Sequence, residues 1–426
     1  TPRLLLLDEP TVGVDPLSRR EFWRIVDDLV REEDITVFVS TANLDEAERC
    51  DEVFVLLDGE LLGTGAPETF VDTAAGRVFL VDPGKNLPRH VQSRFFGANG
   101  VVDATPSQGS VRVVTAEDAE AETLFRGLSH RRADPVFEDG FMILLEDRRG
   151  KSGFTEKSGP DAAAGHENAG KTAAGNGSRI IAVEGLERKF GDFYAVKGLD
   201  FTVARGEIFG LLGPNGAGKS TTFRMLCGLL PATGGRLEVA GQDLRTAAAK
   251  ARRRVGYMAQ KFSLYGQLSV RENLEFFSRA YGLHGKRQRQ RVQWAMQSLE
   301  LSSEATSSSG ELPFGFKQRL ALACALMHEP DILFLDEPTS GVDPLARREF
   351  WQRISALADN GVTIIVTTHF MEEAEYCDRM LIMMGGELLA LGTPNEIREH
   401  ATDAGASIES AFIALVEKRR EAREAA

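Results

Sequence analysis

Two short apolar runs dominate the hydrophobic pattern of the chain, and chemically informative residues follow each of them. The first run covers residues 207–212, and the second covers residues 331–335. Uninterrupted apolar runs of this length are typical of strands that are buried on both faces of a parallel sheet. Ligands bind at the carboxyl ends of such strands in open α/β sheets. The residues after each run are therefore candidates for a binding site.

A phosphate-binding loop follows the first run. Residues 213–220 read Gly-Pro-Asn-Gly-Ala-Gly-Lys-Ser and match the pattern G-x-x-x-x-G-K-[ST] at every fixed position. In this motif backbone N–H groups surround the phosphates, Lys219 reaches the β- and γ-phosphates, and the Ser220 hydroxyl ligates Mg²⁺. We predict a helix from about Lys219 to Leu229. The predicted nucleotide-binding residues are Gly213, Pro214, Asn215, Gly216, Ala217, Gly218, Lys219, Ser220 and Thr221.

Two acidic residues, Asp336 and Glu337, end the second run. An isolated apolar strand that ends in this pair is more often a solvated strand end than a site. Downstream of a phosphate-binding loop, however, the pair favours a nucleotide site. We predict that Asp336 binds Mg²⁺ through water and that Glu337 polarises an attacking water molecule.

Residues 179–400 resemble the ATP-binding-cassette (ABC) ATPases, because several further motifs follow in the family's order and spacing. The resemblance implies that Phe190 stacks on adenine and that Gln260 senses Mg²⁺ and the attacking water. It also implies that residues 340–343 form the D-loop and that His369 contacts the γ-phosphate. The fold class expected is thus α/β, a P-loop NTPase with an ABC-type nucleotide-binding domain. ATP and Mg²⁺ are the implied cofactors. The implied catalytic residues are Glu337, His369 and Gln260, and the implied metal ligands are Ser220, Gln260 and Asp336.

One motif departs from the family pattern. The family signature reads Leu-Ser-Gly-Gly-Gln or similar before a Gln-Arg helix, whereas this chain has Leu-Pro-Phe-Gly-Phe at 312–316. Pro313 replaces a serine, which removes a hydroxyl and a backbone donor. Phe314 replaces a glycine whose missing side chain allows close approach to phosphate. We expect this signature to bind a γ-phosphate poorly.

An internal repeat begins in the middle of a domain. Residues 2–23 match residues 330–351, and residues 40–67 match residues 367–394 after a one-residue offset. The same spacing would place the first copy's phosphate-loop lysine about 110 residues before residue 1. The expectation is that the chain is the C-terminal part of a longer protein, or the product of a truncated gene model, and that residues 1–67 are the C-terminal part of a first ABC domain. Residues 1–67 would thus add a partial copy of the ABC fold to the complete copy at 179–400.

The first copy lacks one catalytic residue, because Ala42 aligns with His369. The family resemblance implies that ABC domains pair head to tail, so that each ATP lies between one domain's phosphate loop and the other's signature. Ala42 and the altered Pro313-Phe314 signature would then belong to the same composite site. We expect one hydrolytic site and one degenerate site that binds ATP without efficient turnover.

The remaining segments divide into an accessory module, a linker and a tail. Residues 68–150 are predicted to form a small α+β module, with a ferredoxin-like arrangement as the hypothesis. Its predicted strands are 77–81, 111–114 and 141–145, and its predicted helices are 90–96 and 120–128. Residues 151–178 have the composition of a disordered linker. Residues 179–400 form the complete ABC domain with a helical subdomain around 265–330, and residues 401–426 form a helical tail whose basic stretch 417–423 is predicted to be a solvated face.

Composition limits the classes of partner. The net charge is −13, which argues against non-specific nucleic-acid binding, since that requires a basic face. No apolar run approaches the length of about 18 residues that a spanning helix needs. The four cysteines, Cys50, Cys227, Cys324 and Cys377, have no metal-ligand spacing and are predicted to be small buried thiols.

Two outputs of the ATPase stay open from sequence. Residues 258–274 and the tandem arrangement resemble the ATPase subunits of ABC-2-type exporters, which implies a separate transmembrane permease and a position on the cytoplasmic face of the inner membrane. The alternative is a soluble ABC protein that acts on the ribosome. Such proteins usually carry a charged helical arm between domains and intact signatures, whereas residues 151–178 are rich in Gly and Ala and the signature is altered. These features favour the exporter.

Overall fold

The computed structural model describes residues 2–33, 35–57, 59–152, 178–401 and 407–424. The chain forms two compact units. The first unit comprises Thr1–Val12 and Trp23–Gly159, and the second comprises Gly13–Phe22 and Pro160–Ala426. Most of the predicted linker 151–178 lies outside the described residues.

Residues 2–152 contain three small sheets. In chain order the elements are β1 (Leu4–Asp8), α1 (Pro16–Glu33), β2 (Thr36–Ser40), α2 (Leu44–Ala47), β3 (Val53–Leu57), β4 (Glu60–Gly65), α3 (Pro67–Thr73), β5 (Val78–Val81), α4 (Pro88–Gln92), a 3₁₀ turn (Ser93–Phe95), β6 (Val101–Ser107), β7 (Ser110–Thr115), α5 (Ala121–Leu124), β8 (His130–Arg132) and α6 (Phe137–Ser152). Strands β1 and β2 pair in parallel, and β3 and β4 form an antiparallel hairpin.

The accessory module has the strand order β6-β7-β5-β8, and every neighbouring pair is antiparallel. With one helix between β5 and β6 and another between β7 and β8, this is the β-α-β-β-α-β succession of ferredoxin-like folds. Its core consists of side chains from alternate strand positions, such as Val111 and Val113, packed against Phe95 and Phe125. Burial of these side chains stabilises the module by the hydrophobic effect.

Two segments of the module differ from the sequence prediction. Residues 141–145, predicted as a strand, lie inside helix α6, because a five-residue apolar run cannot by itself distinguish a strand from a buried helix. Gly140 allows α6 to pack closely on α3, since a Cβ there would lie 2.0 Å from the Phe70 carbonyl oxygen. The helix predicted at 120–128 is shortened to Ala121–Leu124, and a turn then places Phe125 in the core.

The second unit contains a six-stranded sheet and a four-stranded sheet. In chain order its elements after residue 178 are β9 (Arg179–Phe190), β10 (Phe193–Ala204), β11 (Ile208–Leu212), α7 (Lys219–Leu226), β12 (Gly234–Val239), β13 (Gln242–Asp243), α8 (Leu244–Arg252), β14 (Val255–Met258), α9 (Val270–Ala280), α10 (Gly285–Ser298), α11 (Phe314–Leu326), β15 (Ile332–Asp336), α12 (Pro344–Asp359), β16 (Thr363–Thr367), a 3₁₀ turn (Met371–Tyr376), β17 (Arg379–Met384), β18 (Glu387–Gly392), α13 (Pro394–Arg398) and α14 (Ile408–Glu424).

The larger sheet has the order β14-β15-β16-β11-β17-β18, and only its last pair is antiparallel. The continuous apolar runs predicted from sequence are strands β11 and β15, whose side chains are almost all buried. Four parallel strands that lie side by side, β14, β15, β16 and β11, therefore direct their carboxyl ends to one edge of the sheet. Helices α9, α10 and α11 form the helical part around residues 265–330.

The two sequence repeats have the same strand register. In the first unit Leu4 pairs with Thr36, and in the second unit their repeat equivalents Ile332 and Thr363 also pair. The surroundings differ, because β11 lies between β16 and β17, whereas β2 and β3 of the described residues belong to separate sheets. Leu6 and Phe38 are consequently 68% and 58% exposed, while their equivalents Phe334 and Ile365 are fully buried.

The first half of α14 packs on the second unit. Ile408, Ala411, Phe412 and Val416 are buried beside Ile382 of β17, while Glu417 to Arg420 are exposed. Among the described residues, no helix combines the length and the apolar character that crossing a bilayer requires.

The Gly140 packing leads to a stability prediction. Glycine to alanine in a helix interior normally stabilises by about 1 kcal/mol. For Gly140→Ala we expect instead a loss of about 1–3 kcal/mol, because the new methyl group overlaps the Phe70 carbonyl. Urea unfolding followed by circular dichroism measures the change. Asp147→Ala, at an exposed position of the same helix, is the control and should have little effect.

Candidate functional site

The phosphate-binding loop connects the carboxyl end of β11 to the N-terminus of α7. Two of its glycines occupy positions that a side chain could not share. Gly213 has φ +147°, and a Cβ on it would lie 2.3 Å from the Met383 carbonyl oxygen. Gly218 has φ +102°, and its Cβ would lie 2.5 Å from the Ala195 carbonyl oxygen. Helix α7 begins at Lys219 as predicted from the motif, but it ends at Leu226 rather than near Leu229.

Lys219 is buried within this loop. The side chain is 6% exposed, and its Nζ donates hydrogen bonds to the carbonyl oxygens of Gly213 at 2.6 Å and Pro214 at 3.1 Å. Burial lowers the pKa of Lys219, and the charges of Glu337 and Asp336 oppose that shift. The Lys219 amine is therefore held against the backbone of its own loop, where the phosphates would bind.

Asp336 and Glu337 lie at the carboxyl end of β15. Asp336 accepts a hydrogen bond from Thr367 Oγ1 at 2.6 Å. Burial raises the pKa of Asp336, the Thr367 bond opposes this effect, and the Glu337 charge adds to it. Glu337 has φ +46°, in the left-handed region that side chains rarely occupy. Its backbone N–H is fixed by the carbonyl oxygen and by the hydroxyl of Thr367, each at 3.0 Å.

Two side chains, one after each of the strands that flank β15, converge on one oxygen of Glu337. Gln260, just past β14, donates from Nε2 to Glu337 Oε2 at 2.6 Å. His369, just past β16, has its Nδ1 at 3.3 Å from the same Oε2 and is only 3% exposed. Burial alone would raise the pKa of Glu337, but contact with His369 and the charge of Lys219 outweigh it, so that the pKa lies below its ordinary value.

Sequence reasoning missed the residue that ties these segments together. Glu373 is 1% exposed and accepts hydrogen bonds from the hydroxyl groups of Thr339 and Thr368, the second at 2.6 Å. It thereby connects the loop after Glu337 to the segment that carries His369. A signal was present in the repeat, since Glu46 occupies the equivalent position of the first copy.

The first copy repeats this network around Glu9. Glu46 accepts from the hydroxyl groups of Thr11 and Thr41, and Ser40 donates to Asp8 as Thr367 does to Asp336. Glu9 has φ +45°, the same left-handed conformation as Glu337.

The difference between the copies lies at the histidine. At its position the backbone N–H of Ala42 donates to Glu9 Oε2 at 3.3 Å. Burial raises the pKa of Glu9; the Ala42 bond opposes this, and the charges of Glu46 and Asp8 add to it. The two equivalent carboxylates therefore have pKa values shifted in opposite directions.

Comparison with known proteins identifies the family. The family described as ABC transporter matches residues 196–340. The chain is 47% identical over 423 residues to the probable multidrug ABC transporter ATP-binding protein YbhF of Escherichia coli strain K12, and the match covers 97% of this chain and 71% of that protein. The chain belongs to the ABC transporter ATP-binding proteins. It binds ATP and is an ATPase, and the resemblance stated from its motifs is confirmed.

Other similar proteins match about half of the chain. The chain is 44% identical over 220 residues to the Nod factor export ATP-binding protein I of Burkholderia lata, which covers 51% of this chain and 72% of that protein. A solved structure titled "Structure of ATP binding subunit of ABC transporter" superposes with a TM-score of 0.52 and 30% identity over 56% of this chain and 99% of that chain. The predicted P-loop NTPase fold class is confirmed.

Phe190 is the residue that the family resemblance predicts to stack on adenine. Phe190 ends β9, is 46% exposed, and has the Arg188 guanidinium 4.4 Å from its ring centroid. It pairs with Phe193 on β10, the strand that also brings the Ala195 carbonyl against the phosphate loop. An exposed ring on this sheet is available for stacking.

The oxygen atoms at the site suit Mg²⁺. Ser220 is exposed at the start of α7, and Gln260 uses its Nε2 toward Glu337, which leaves its carbonyl oxygen for another partner. Together with the Asp336 carboxylate, these are hard oxygen ligands of the kind that Mg²⁺ prefers. The described residues contain no cluster of three or more His, Cys, Asp or Glu suited to a metal. Mg²⁺ is commonly bound through one or two protein oxygen ligands together with substrate phosphates and water, and Ser220, Gln260 and Asp336 fit that pattern.

Helix α11 begins at Phe314, and Pro313 is its N-cap residue. Pro313 makes no side-chain capping hydrogen bond, as a serine hydroxyl could. The first turn of this helix therefore offers fewer donors than the family signature does.

The opposite pKa shifts generate a prediction. His369→Ala should raise the pKa of Glu337, because the contact that favours its charged form is removed. Ala42→His should lower the pKa of Glu9, because it adds that contact. Titration of the ¹³C-labelled carboxylates by NMR measures both. His328→Ala, which removes a partly buried histidine that is hydrogen-bonded to the Val255 carbonyl, is the control. An unchanged Glu337 titration in His369→Ala would contradict the assignment.

Proposed function

We propose that this ABC ATPase is the ATP-hydrolysing subunit of an ABC-2-type exporter, with Glu337 as the residue that activates water. The observation that carries the proposal is the convergence of Gln260 and His369 on one oxygen of Glu337, at the sheet edge that also carries the phosphate loop. A carboxylate held in this way can act on a water molecule beside the γ-phosphate.

Lys219 and the loop amides bind the phosphates in this proposal. The Lys219 amine donates to two neutral carbonyl oxygens of its own loop, and anionic phosphate oxygens are stronger acceptors. Residues 213–221 supply the backbone N–H groups and the helix N-terminus, and Phe190 supplies a surface for adenine. Ser220, Gln260 and Asp336 would hold Mg²⁺, which when bound neutralises charge on the β- and γ-phosphates.

Glu337 then serves as the general base. Its pKa lies below its ordinary value, so the side chain is ionised at neutral pH and ready to accept a proton from water. Both observed contacts fall on Oε2, which leaves Oε1 to face the attacking water. His369 steadies the carboxylate and reaches toward the γ-phosphate.

The active assembly requires a second ABC domain placed head to tail. In such a pair the altered signature at Pro313 and Phe314 and the histidine-less site at Ala42 fall on one composite site. The opposite site combines Lys219, Glu337 and His369. We propose that only the site with Lys219, Glu337 and His369 hydrolyses ATP efficiently, while the site with Ala42 holds nucleotide.

Export is favoured over action on the ribosome. The relatives described above carry names of multidrug and Nod factor export proteins, and none of these names refers to translation. Tyr265 and Phe276 form an aromatic pair with ring centroids 4.5 Å apart, and they are 49% and 41% exposed. An exposed aromatic pair suits contact with a transmembrane permease from the cytoplasmic side of the membrane. Co-purification with a permease supports export, and co-purification with ribosomes supports the alternative.

The proposed phosphate site leads to a prediction about nucleotide binding. Lys219→Ala should weaken Mg-ATP binding by on the order of 2–4 kcal/mol, because a buried cation opposite the phosphates is lost. Isothermal titration calorimetry measures the affinity. Lys250→Ala changes an exposed lysine of α8 and should bind as the unchanged protein does. Equal affinities in the two variants would refute the phosphate site.

The proposed general base leads to a prediction about hydrolysis. Glu337→Gln should keep ATP bound and lower turnover on the order of 10²-fold or more, since the general base is lost. Glu9→Gln is a matched control, because Glu9 has nearly the same φ and its backbone N–H likewise donates to the carbonyl and hydroxyl oxygens of the repeat-equivalent residue, Ser40. Turnover is measured in the assembly with the second ABC domain. Loss of activity in Glu9→Gln with retention in Glu337→Gln would reverse the assignment of the two sites.

A further inference from the structure

The altered signature makes a contact that a glycine could not make. The Phe314 ring, at the start of α11, packs against the Phe262 ring with centroids 5.0 Å apart and an interplanar angle of 53°. Its far edge also lies over the D-loop, since a Cβ on Gly341 would be 4.0 Å from Phe314 Cζ. Phe314 therefore contacts two loops of its own domain.

Phe262 belongs to the loop that carries Gln260. Only Lys261 separates the two residues, and Gln260 donates to Glu337 at 2.6 Å. Gln260 itself is exposed, so little packing of its own fixes its position. The Phe262 ring is partly buried and packs against the core that the helical part shares with the large sheet. The ring contact with Phe314 thus lies two residues from the group that orients the catalytic carboxylate.

A second contact links α11 to the backbone of the residue that follows Glu337. Gln318, one turn after Phe314, is 2% exposed and donates from Nε2 to the Pro338 carbonyl oxygen at 2.8 Å. Pro338 directly follows Glu337. The signature helix therefore contacts both the loop of Gln260 and the loop of Glu337.

We propose that Phe314 is a positioning residue for hydrolysis in its own domain: its ring holds Phe262, and thereby Gln260, against Glu337. The inference rests on the proposed function, because it assigns a task to the hydrolytic site. It gives the altered signature a role that does not require phosphate binding.

The test measures steady-state ATP hydrolysis by the complete transporter assembly. Phe314→Leu keeps an apolar side chain but removes the ring contact, and it should lower kcat about three- to tenfold with the KM for ATP unchanged. Phe314→Tyr keeps the ring and should remain within about twofold of the unchanged protein. Phe316→Leu is the matched control, because the Phe316 ring lies in the same helical turn and stacks on Arg319 instead.

A double-mutant cycle separates the ring contact from general loss of structure. Phe262→Leu should lower kcat as Phe314→Leu does, and the double variant should fall no further than either single variant. Additive losses, an unchanged kcat in Phe314→Leu, or a loss in Phe314→Tyr equal to that in Phe314→Leu would each overturn the proposal. Lys219→Ala reports on the proposed function independently. If that variant hydrolyses ATP normally the site itself is wrong, whereas if it is inactive and the Phe314 variants are normal only the positioning role fails.

Discussion

The left-handed backbone of Glu337 is the constraint on which the catalytic site depends. A non-glycine residue in this conformation costs on the order of 1–2 kcal/mol. Thr367 offsets this cost, since its carbonyl and hydroxyl oxygens both accept from the Glu337 N–H. The turn points the carboxylate toward Gln260 and His369 instead of continuing along the strand. Without it, the ends of three adjacent strands would not meet at one oxygen atom.

The internal repeat shows which properties belong to the backbone and which to individual side chains. The segment around Glu9 has the same left-handed turn as that around Glu337, an equivalent buried glutamate, Glu46, and the same strand register. It nevertheless has a pKa shifted in the opposite direction from that of Glu337. The fold therefore supplies the position of the carboxylate, while the imidazole of His369 and the amine of Lys219 supply its ionisation. At Glu9, Ala42 replaces the histidine, and burial together with the neighbouring charges of Glu46 and Asp8 raises the pKa.

Sequence patterns predicted strands β11 and β15 well, because buried parallel strands have continuous apolar runs and a complete phosphate-loop motif limits the alternatives. The same kind of run at 141–145 was misread, since its length fits a strand and its true helix α6 is set by packing on α3 through Gly140. Motifs placed Gln260, Glu337 and His369 in order along the chain. Their meeting at one oxygen follows from strand order in the sheet, which no local pattern contains. The role of Glu373 was hidden for a similar reason, since its hydroxyl partners come from different loops.

The exposed apolar row on β1 and β2 has a consequence for handling the protein. Leu6 and Phe38 lie on neighbouring strands. In the second unit, strand β11 and the elements around it bury the equivalent residues, Phe334 and Ile365. Exposed apolar strands with unpaired edges are templates for association with other chains. A charged substitution at Leu6 would therefore weaken association of this row with other apolar segments, and Leu6 is not among the residues assigned to the nucleotide site.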